Sequence, residues 1–329
     1  MSAPLRVAVD ARVVATDLRG IGRYARAILR RLTRRDDVVF TLLIPELFPL
    51  RRRAALARAL GTSAFSIARR VPRGTDVTWF PANGTFFESR APVVATVHDA
   101  VPFRYPNADV RAREREQRPF LETVRTAHSF IAVSDFGKSE ICTIFRVPPE
   151  RVTTIHHGID AIFSPGDPGA LPDGLEPGSY LLFVGDPAEP RKNFRVLRNA
   201  PMRVFVASKL GDDMHGGAET LVMLYRGALA VTVPSYHETF GFPLLEAMAC
   251  GAPALASNVG SLPEVGGDAP LWLPPHDEAA WSDALQRIAK DASLRANLRE
   301  RGLQRAAHFD WDASAAAHLD LFRRVAQER

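Results

Sequence analysis

The chain has 329 residues, room for two domains of ordinary size, and at 46% hydrophobic and 24% charged it has the composition of a soluble globular protein with ample core. No apolar run approaches membrane length, the start of the chain runs into a strand without a signal-peptide pattern, and the two cysteines, Cys142 and Cys250, lie too far apart for a metal spacing. These features exclude a membrane-spanning or disulfide-framed protein and lead us to expect buried thiols in a reducing cytoplasm.

In chain order, residues 5–9 read as a strand, 22–32 as an amphipathic helix and 38–44 as a second strand. Short strands follow at 77–80 and 93–97, then a charged helix over 108–127, a strand at 130–133, a helix at 136–145 and a strand at 152–155. A Pro/Gly-rich linker over 164–178 ends this block. A second series opens with the strand 180–184, and a helix is expected over 219–226. The run 229–235 reads as a buried strand. Pro243 suits the first position of the next helix and Gly251 its end, while residues 312–326 form a last helix. Two blocks of alternating strand and helix predict an α/β protein of two Rossmann-like, doubly wound domains. The boundaries expected are 1–163, a linker at 164–178, a second domain at 179–310, and a C-terminal helix at 311–329, which in similar proteins crosses back to the first domain.

Candidate chemistry sits where strands end. Glu238-Thr-Phe-Gly-Phe-Pro-Leu-Leu-Glu246 places two carboxylates around the turn between a strand and a helix, the crevice where ligands bind in open α/β sheets. The amides of Gly241, Phe242 and Leu244, with the helix dipole, favour an anion such as a phosphate there. Glu246, one turn into the helix, suits the two hydroxyls of a ribose, and Glu238, on the loop, suits a hydroxylated ring. Phosphate, ribose and sugar together describe a nucleotide-sugar. Against this stands the commonness of acids near helix N-termini for structural reasons alone. Arg191 and Lys192 follow the strand at 180–184 and stand at an expected helix start, where cations oppose the dipole; a bound phosphate would relieve that conflict. His98-Asp99 follows the strand at 93–97, and a core histidine held by its neighbouring acid is the structural alternative.

Two motifs fail on context. Gly20-Ile-Gly-Arg-Tyr-Ala25 fits the letters of a dinucleotide fingerprint, but about ten residues separate it from the strand before it, and the fingerprint needs a tight turn. Asp310-Trp-Asp312 fits the letters of a metal-binding D-x-D, yet its place before the last helix makes Asp312 an expected N-cap. The net charge of +5 is nearly all Arg, since Lys occurs only at 138, 192, 209 and 290. Arginine clusters occur at 30–31 with 34–35, at 51–53, and at 69–70 with 73. They read either as a basic face resting on anionic lipid or as codon bias. They lack interleaved aromatics, so nucleic acid is not the expected partner.

Taken together, these segments resemble the retaining glycosyltransferases of family 4, of the two-Rossmann GT-B fold. The resemblance rests on Glu238 and Glu246 with seven residues between them and on the continuation 251–269. It also rests on Val184 to Asn193, Val97-His-Asp99, Gly20-Ile-Gly-Arg-Tyr24 and Phe309-Asp-Trp311, all in the family's order. It implies domains facing across a cleft, with Gly20, Gly22, Arg191, Lys192, Gly241, Phe242 and Glu246 binding the donor. Lys192 meets its diphosphate with Arg191 assisting. His98 and Glu238 act at the transferred sugar, and Asp99 lies on the acceptor side. It implies no cofactor beyond the nucleotide-sugar and no metal. The motif combination looks most like mannosyltransferases of surface-polysaccharide assembly. The expected donor is therefore GDP-mannose, and the expected acceptor a lipid-linked glycan, reached from the cytoplasm with peripheral membrane contact. Two departures stand out. Asp186 replaces the Arg that many relatives carry after the glycine. Some forty residues are missing between Lys192 and Glu238, so one strand fewer is expected in the second sheet and the nucleobase pocket is reduced. That trimming keeps open a non-catalytic descendant that binds a sugar nucleotide or a partner transferase.

Overall fold

The structure, a computed structural model, describes residues 3–17, 20–46, 49–207 and 217–328. The chain forms two compact units, Met1–Gly158 with Trp311–Arg329, and Ile159–Asp310.

The first unit opens with β1 (Leu5–Asp10), α1 (Gly20–Leu32), β2 (Val38–Leu43), α2 (Arg53–Leu60) and β3 (Ser66–Ala68). It continues through β4 (Val77–Phe80), β5 (Val93–Val97), α3 (Val101–Arg104), α4 (Val110–Thr126), β6 (Ser129–Ala132), α5 (Asp135–Phe145) and β7 (Val152–Thr154). Every strand pairing is parallel, in the order β3-β2-β1-β4-β5-β6-β7. The four residues of β4 and the five of β5 are all buried, as expected for strands covered on both faces. The order reverses between β1 and β4, so the loops leaving these strands diverge and open a crevice at their C-terminal ends.

The second unit carries β8 (Tyr180–Val184), β9 (Arg203–Ala207), α6 (Gly217–Gly227), β10 (Ala230–Val233), α7 (Phe242–Cys250) and β11 (Ala254–Ser257). After these come α8 (Leu262–Gly266), β12 (Leu271–Leu273), α9 (Glu278–Lys290) and α10 (Ala292–Ala306). Its sheet is also parallel, ordered β12-β11-β10-β8-β9, and reverses between β8 and β10. Five strands are present among the described residues; part of the shortened stretch, 208–216, lies outside them. Trp281, Phe183, Leu255 and Leu285 anchor this unit's core. Helix α7 buries seven of its nine residues. Gly302 of α10 lets a second helix cross it closely, since a Cβ there would stand 3.4 Å from the Met248 backbone. Gly251 ends α7 in the left-handed region at φ 74°, with its amide returned to the carbonyls of Ala247 and Met248.

The last helix, α11 (Trp311–Gln327), belongs to the first unit. Asp312 is not its N-cap. Helical geometry already begins at Trp311, and Asp312 sits in the first turn, where the dipole favours an acid and Arg31 Nε donates to it at 2.6 Å. No helix opens at Arg191. Pro190–Lys192 is a single 3-10 turn, because Asn193 takes a left-handed conformation at φ 53° and breaks the run before a second 3-10 turn at Phe194–Leu197.

Gly22 has a packing reason of its own. A Cβ there would lie 1.8 Å from the carbonyl oxygen of Asp17, which also accepts a hydrogen bond from Arg26. Gly22→Ala is therefore expected to destabilise the first unit by roughly 1–3 kcal/mol, the usual cost of overpacking. A lower urea midpoint for this variant checks it, and an unchanged midpoint contradicts the close approach.

Candidate active site

Strands β8 and β10 are hydrogen-bonded neighbours at the point where the second sheet reverses, so the loops that follow them meet. The β8 loop brings Arg191 and Lys192, and the β10 loop brings Ser235 and Glu238. Lys192 Nζ donates to Glu238 Oε1 at 2.6 Å, and Arg191 reaches Glu238 Oε2 at 3.2 Å. Ser235 Oγ donates to Oε1 at 2.8 Å. Arg191 also donates to Glu189 at 2.8 Å and to the His237 carbonyl at 2.9 Å. The conflict between the cations and a helix start is thus settled within the protein: there is no helix start, and a carboxylate lies between the cations.

Glu238 is 7% exposed. Burial alone pushes its pKa up, but Lys192 and Arg191, with hydrogen bonds from Lys192 and Ser235, outweigh burial and hold it below the usual carboxylate range. It is a carboxylate at neutral pH, and its pairing contributes stability above the unfolded carboxylate pKa that is lost as pH falls through the folded value.

Three residues not singled out by sequence reasoning fix this geometry. Asn193 Nδ2 donates to the carbonyls of Pro234 and Pro275 at 2.9 and 2.8 Å and ties the two loops together. Ser261 donates to the Glu238 carbonyl from both Oγ and its amide, at 2.9 and 3.0 Å. Gly260, at φ 62°, allows that approach, since a Cβ would stand 2.6 Å from the same oxygen. The only advance signal was the Asn ending the Arg-Lys-Asn run, a residue that tolerates left-handed backbone.

Gly241 precedes α7 at φ 89°, with Leu262 2.6 Å from the position of a Cβ, and Phe242 starts the helix. The Leu244 amide, expected to face a ligand, instead donates to the Gly241 carbonyl at 3.0 Å, because the first turn closes on its own N-cap. Glu246 is 3% exposed, and its Oε2 accepts from Tyr225 at 2.8 Å.

In the first unit, His98 leaves β5 at its C-terminal end and is 9% exposed. Its ring is held not by Asp99 but by the Pro81 carbonyl, 2.8 Å from Nε2. A carbonyl only accepts, so Nε2 carries the proton and Nδ1 is the acceptor. Its amide donates to Asn83 Oδ1 at 2.8 Å. Asp99 uses Oδ1 locally, to accept from the Val101 amide at 3.1 Å. Gly20 and Gly22 open α1 in this unit.

Tyr24, from the same glycine motif, packs edge-on to His98 with ring centres 4.9 Å apart, and His157 stacks on His98 at 5.7 Å. Behind them runs a directional hydrogen-bond chain. Trp79 Nε1 donates to Thr96 at 3.1 Å, Thr96 and Tyr24 are 2.9 Å apart, and Tyr24 bonds to His318 Nε2. His318 Nδ1 lies 2.7 Å from the Ser314 carbonyl. Indole can only donate and the carbonyl only accept, so every proton in the chain points toward Ser314.

The whole chain matches solved structures of this architecture. Sucrose-phosphate synthase from Thermosynechococcus elongatus superposes with TM-score 0.69 at 20% identity over 100% of both chains. Anabaena HepE, in complex with UDP and glucose, superposes with TM-score 0.67 at 14% identity over 97% of this chain and 99% of that one. The fold, two parallel-sheet α/β domains, is GT-B. Residues 18–163 match the family described as Glycosyltransferase Family 4, and residues 213–305 that described as Glycosyl transferases group 1. O-antigen chain mannosyltransferase B of Escherichia coli is 32% identical over 266 residues, 70% of each chain. The D-inositol 3-phosphate glycosyltransferase of Saccharomonospora viridis is 30% identical over 247 residues, 61% of this chain and 57% of that protein. The chain belongs to the group 1 (family 4) glycosyltransferases.

Burial lowers the pKa of all three clustered histidines, with His318 down to about 4. They are neutral in the folded state, whereas the unfolded chain binds protons below about pH 6.5. Stability is therefore held above pH 6.5 and lost as pH falls toward 4, with about 3 kcal/mol from His318 alone at the bottom of that range. Melting temperatures between pH 7 and 4.5 should fall, and the fall should be shallower in His318→Gln. A flat profile contradicts the buried neutral histidines.

Proposed function

We propose that the chain is a retaining hexosyltransferase that draws on a nucleotide-sugar, with mannose from GDP-mannose as the first reading. The acceptor is a glycan carried on a lipid, in surface-polysaccharide synthesis, reached through peripheral contact with a membrane. The observation that carries the reading is the Lys192–Glu238–Arg191 group at the reversal point of the second sheet. Two cations held at strand ends suit a diphosphate, and a carboxylate beside them suits the sugar it bears. The mannose assignment is supported by the Escherichia coli relative, an O-antigen chain mannosyltransferase.

In this reading Lys192 and Arg191 compensate the charge that builds on the leaving diphosphate, and no metal is required for it. The departing phosphate oxygen takes the proton of the attacking hydroxyl, so a dedicated base is unnecessary. His98, neutral and with Nε2 committed to Pro81, serves as a polar contact to the transferred sugar through Nδ1, not as an acid. Glu246 takes the ribose hydroxyls, Gly20, Gly22, Gly241 and Phe242 line the donor's path, and Asp99 stands on the acceptor side.

The direct test is a thermal-shift screen against GDP, UDP and ADP and their sugars, followed by product analysis with the sugar that binds. Stabilisation by one base, and transfer with retained anomeric configuration, is the expected result. Binding without turnover would favour the non-catalytic descendant, and no shift at all would refute the donor site.

A sharper prediction follows from Glu238 standing between the two cations. A nucleoside diphosphate must compete with that carboxylate for Lys192. Glu238→Gln should therefore bind GDP or the preferred diphosphate more tightly, on the order of fivefold, the scale of one modest charge pair. Its transfer rate should meanwhile fall by about a hundredfold, comparable with other lost transition-state contacts. Lys192→Ala should weaken the same binding about tenfold or more. Calorimetric titration checks both, and equal diphosphate affinity in wild type and Lys192→Ala would remove Lys192 from the site.

A further inference from the structure

Of the three arginine clusters, two are largely spent inside the protein. Arg30 donates to the Ala59 carbonyl, Arg31 pairs with Asp312, and Arg35 with Asp37. Arg52 pairs with Glu46, and Arg53 donates to the carbonyls of Ser63 and Phe65. The third cluster differs. Arg70 and Arg73 line a cavity of about 1020 Å³ with Arg90, and Glu88 is its one carboxylate. Among the described residues these three guanidiniums have no hydrogen bond or ion pair. Phe86 to Ser89 are shared with an adjoining cavity of about 590 Å³ that runs along α4 past Glu122, so the two form one trough.

The trough presents an aromatic ring to solvent: Phe86 is 45% exposed. Phe86 is held in that position. The Arg12 guanidinium, itself paired with Asp10, covers one ring face at 3.6 Å. Gly84, at φ 113°, leaves room for the ring edge where a Cβ would come within 2.5 Å. Thr85 bonds Thr126 of α4 at 2.9 Å. The result is a fixed, exposed phenylalanine beside three arginines without an ion pair among the described residues. It matches the chemistry of a membrane interface, where guanidiniums meet lipid phosphates and an aromatic ring enters the headgroup layer.

We propose that this trough seats the chain on an anionic bilayer, with Arg70, Arg73 and Arg90 on lipid phosphates and Phe86 at the interface. It deepens the reading of a lipid-linked acceptor and rests on that reading for its purpose, though not for its geometry. A nucleic acid fits less well, because Arg12 already covers one face of the Phe86 ring and leaves less of it for a base to stack on.

The test is flotation with vesicles of phosphatidylcholine alone and of phosphatidylcholine with phosphatidylglycerol. Wild type should float only with the anionic vesicles, and less as salt rises. Each basic residue near such a surface contributes about fivefold. The triple variant Arg70→Glu, Arg73→Glu, Arg90→Glu should therefore lose flotation at least tenfold, and Phe86→Ser should lose part of it. The charge-matched variant Arg34→Glu, Arg58→Glu, Arg146→Glu, at exposed positions outside the trough, should float like wild type. Circular dichroism melting confirms that each variant folds, and nucleotide binding in solution, measured separately, tells failure of the donor reading from failure of this one. The proposal is overturned if wild type ignores anionic vesicles, if the trough variant floats unchanged, or if the charge-matched variant loses as much. Binding of a single-stranded oligonucleotide through the same arginines, without flotation, would overturn it in favour of nucleic acid.

Discussion

The second unit is organised around one buried carboxylate. Taking Glu238 out of water would cost several kcal/mol if it stood alone, and only close pairing with additional hydrogen bonds makes its burial tolerable. Lys192, Arg191 and Ser235 supply these, but they lie on two separate loops. The carboxylate therefore requires β8 and β10 to be neighbours, the β8 loop to fold back at a left-handed Asn193, and the 260–261 turn to approach the Glu238 backbone. Each of these features looks arbitrary when taken singly, and each follows once the charge has to be satisfied.

The first unit meets the matching problem mainly with neutral groups. Near the end of β5, Trp79, Thr96, Tyr24 and His318 satisfy one another in a single direction, with the neutral rings of His98 and His157 packed beside Tyr24. The C-terminal helix α11 supplies His318 to this chain and Asp312 to Arg31. A return of the chain to the first unit is thus written into buried chemistry as well as into packing. Replacing such a network by aliphatic side chains would be close to neutral for stability. What the polar version adds is orientation: it holds Tyr24 edge-on against the His98 ring, whose tautomer the Pro81 carbonyl sets.

Much of this was legible in the sequence. Buried apolar runs ending in Gly, Pro, His or acid marked β1, β4, β5, β8 and β10 to within a residue or two, because fully covered parallel strands leave no room for polar alternation. The pairing of Glu238 with the Arg-Lys loop was not legible, since it depends on strand order, and two strands about fifty residues apart become neighbours only through the crossover. Helices α9 and α10 went unassigned although Asp277 and Asp291 cap them through the Ala280 and Leu294 amides. Their charged faces diluted the periodic signal. The helix expected at Arg191 failed for a local reason: a left-handed Asn overrode residues that would otherwise continue a turn. Tyr24 was read as one letter of a glycine motif, and nothing in its neighbours announced a partner about 290 residues away.

The contrast between the units bears on how a transferase of this family divides its task. A leaving diphosphate carries negative charge that grows as the bond breaks, and it is met best by cations that are already fixed and dry. A sugar hydroxyl carries no charge, and a cation there would only demand a counter-ion. In the proposed reading the charged group at the β8–β10 edge answers the first demand and the neutral group at the end of β5 the second. Both stand at the C-terminal ends of parallel strands, and the topology of each sheet sets which loops come close. The paired carboxylate, its cations and the neutral histidine cluster are all formed among the described residues.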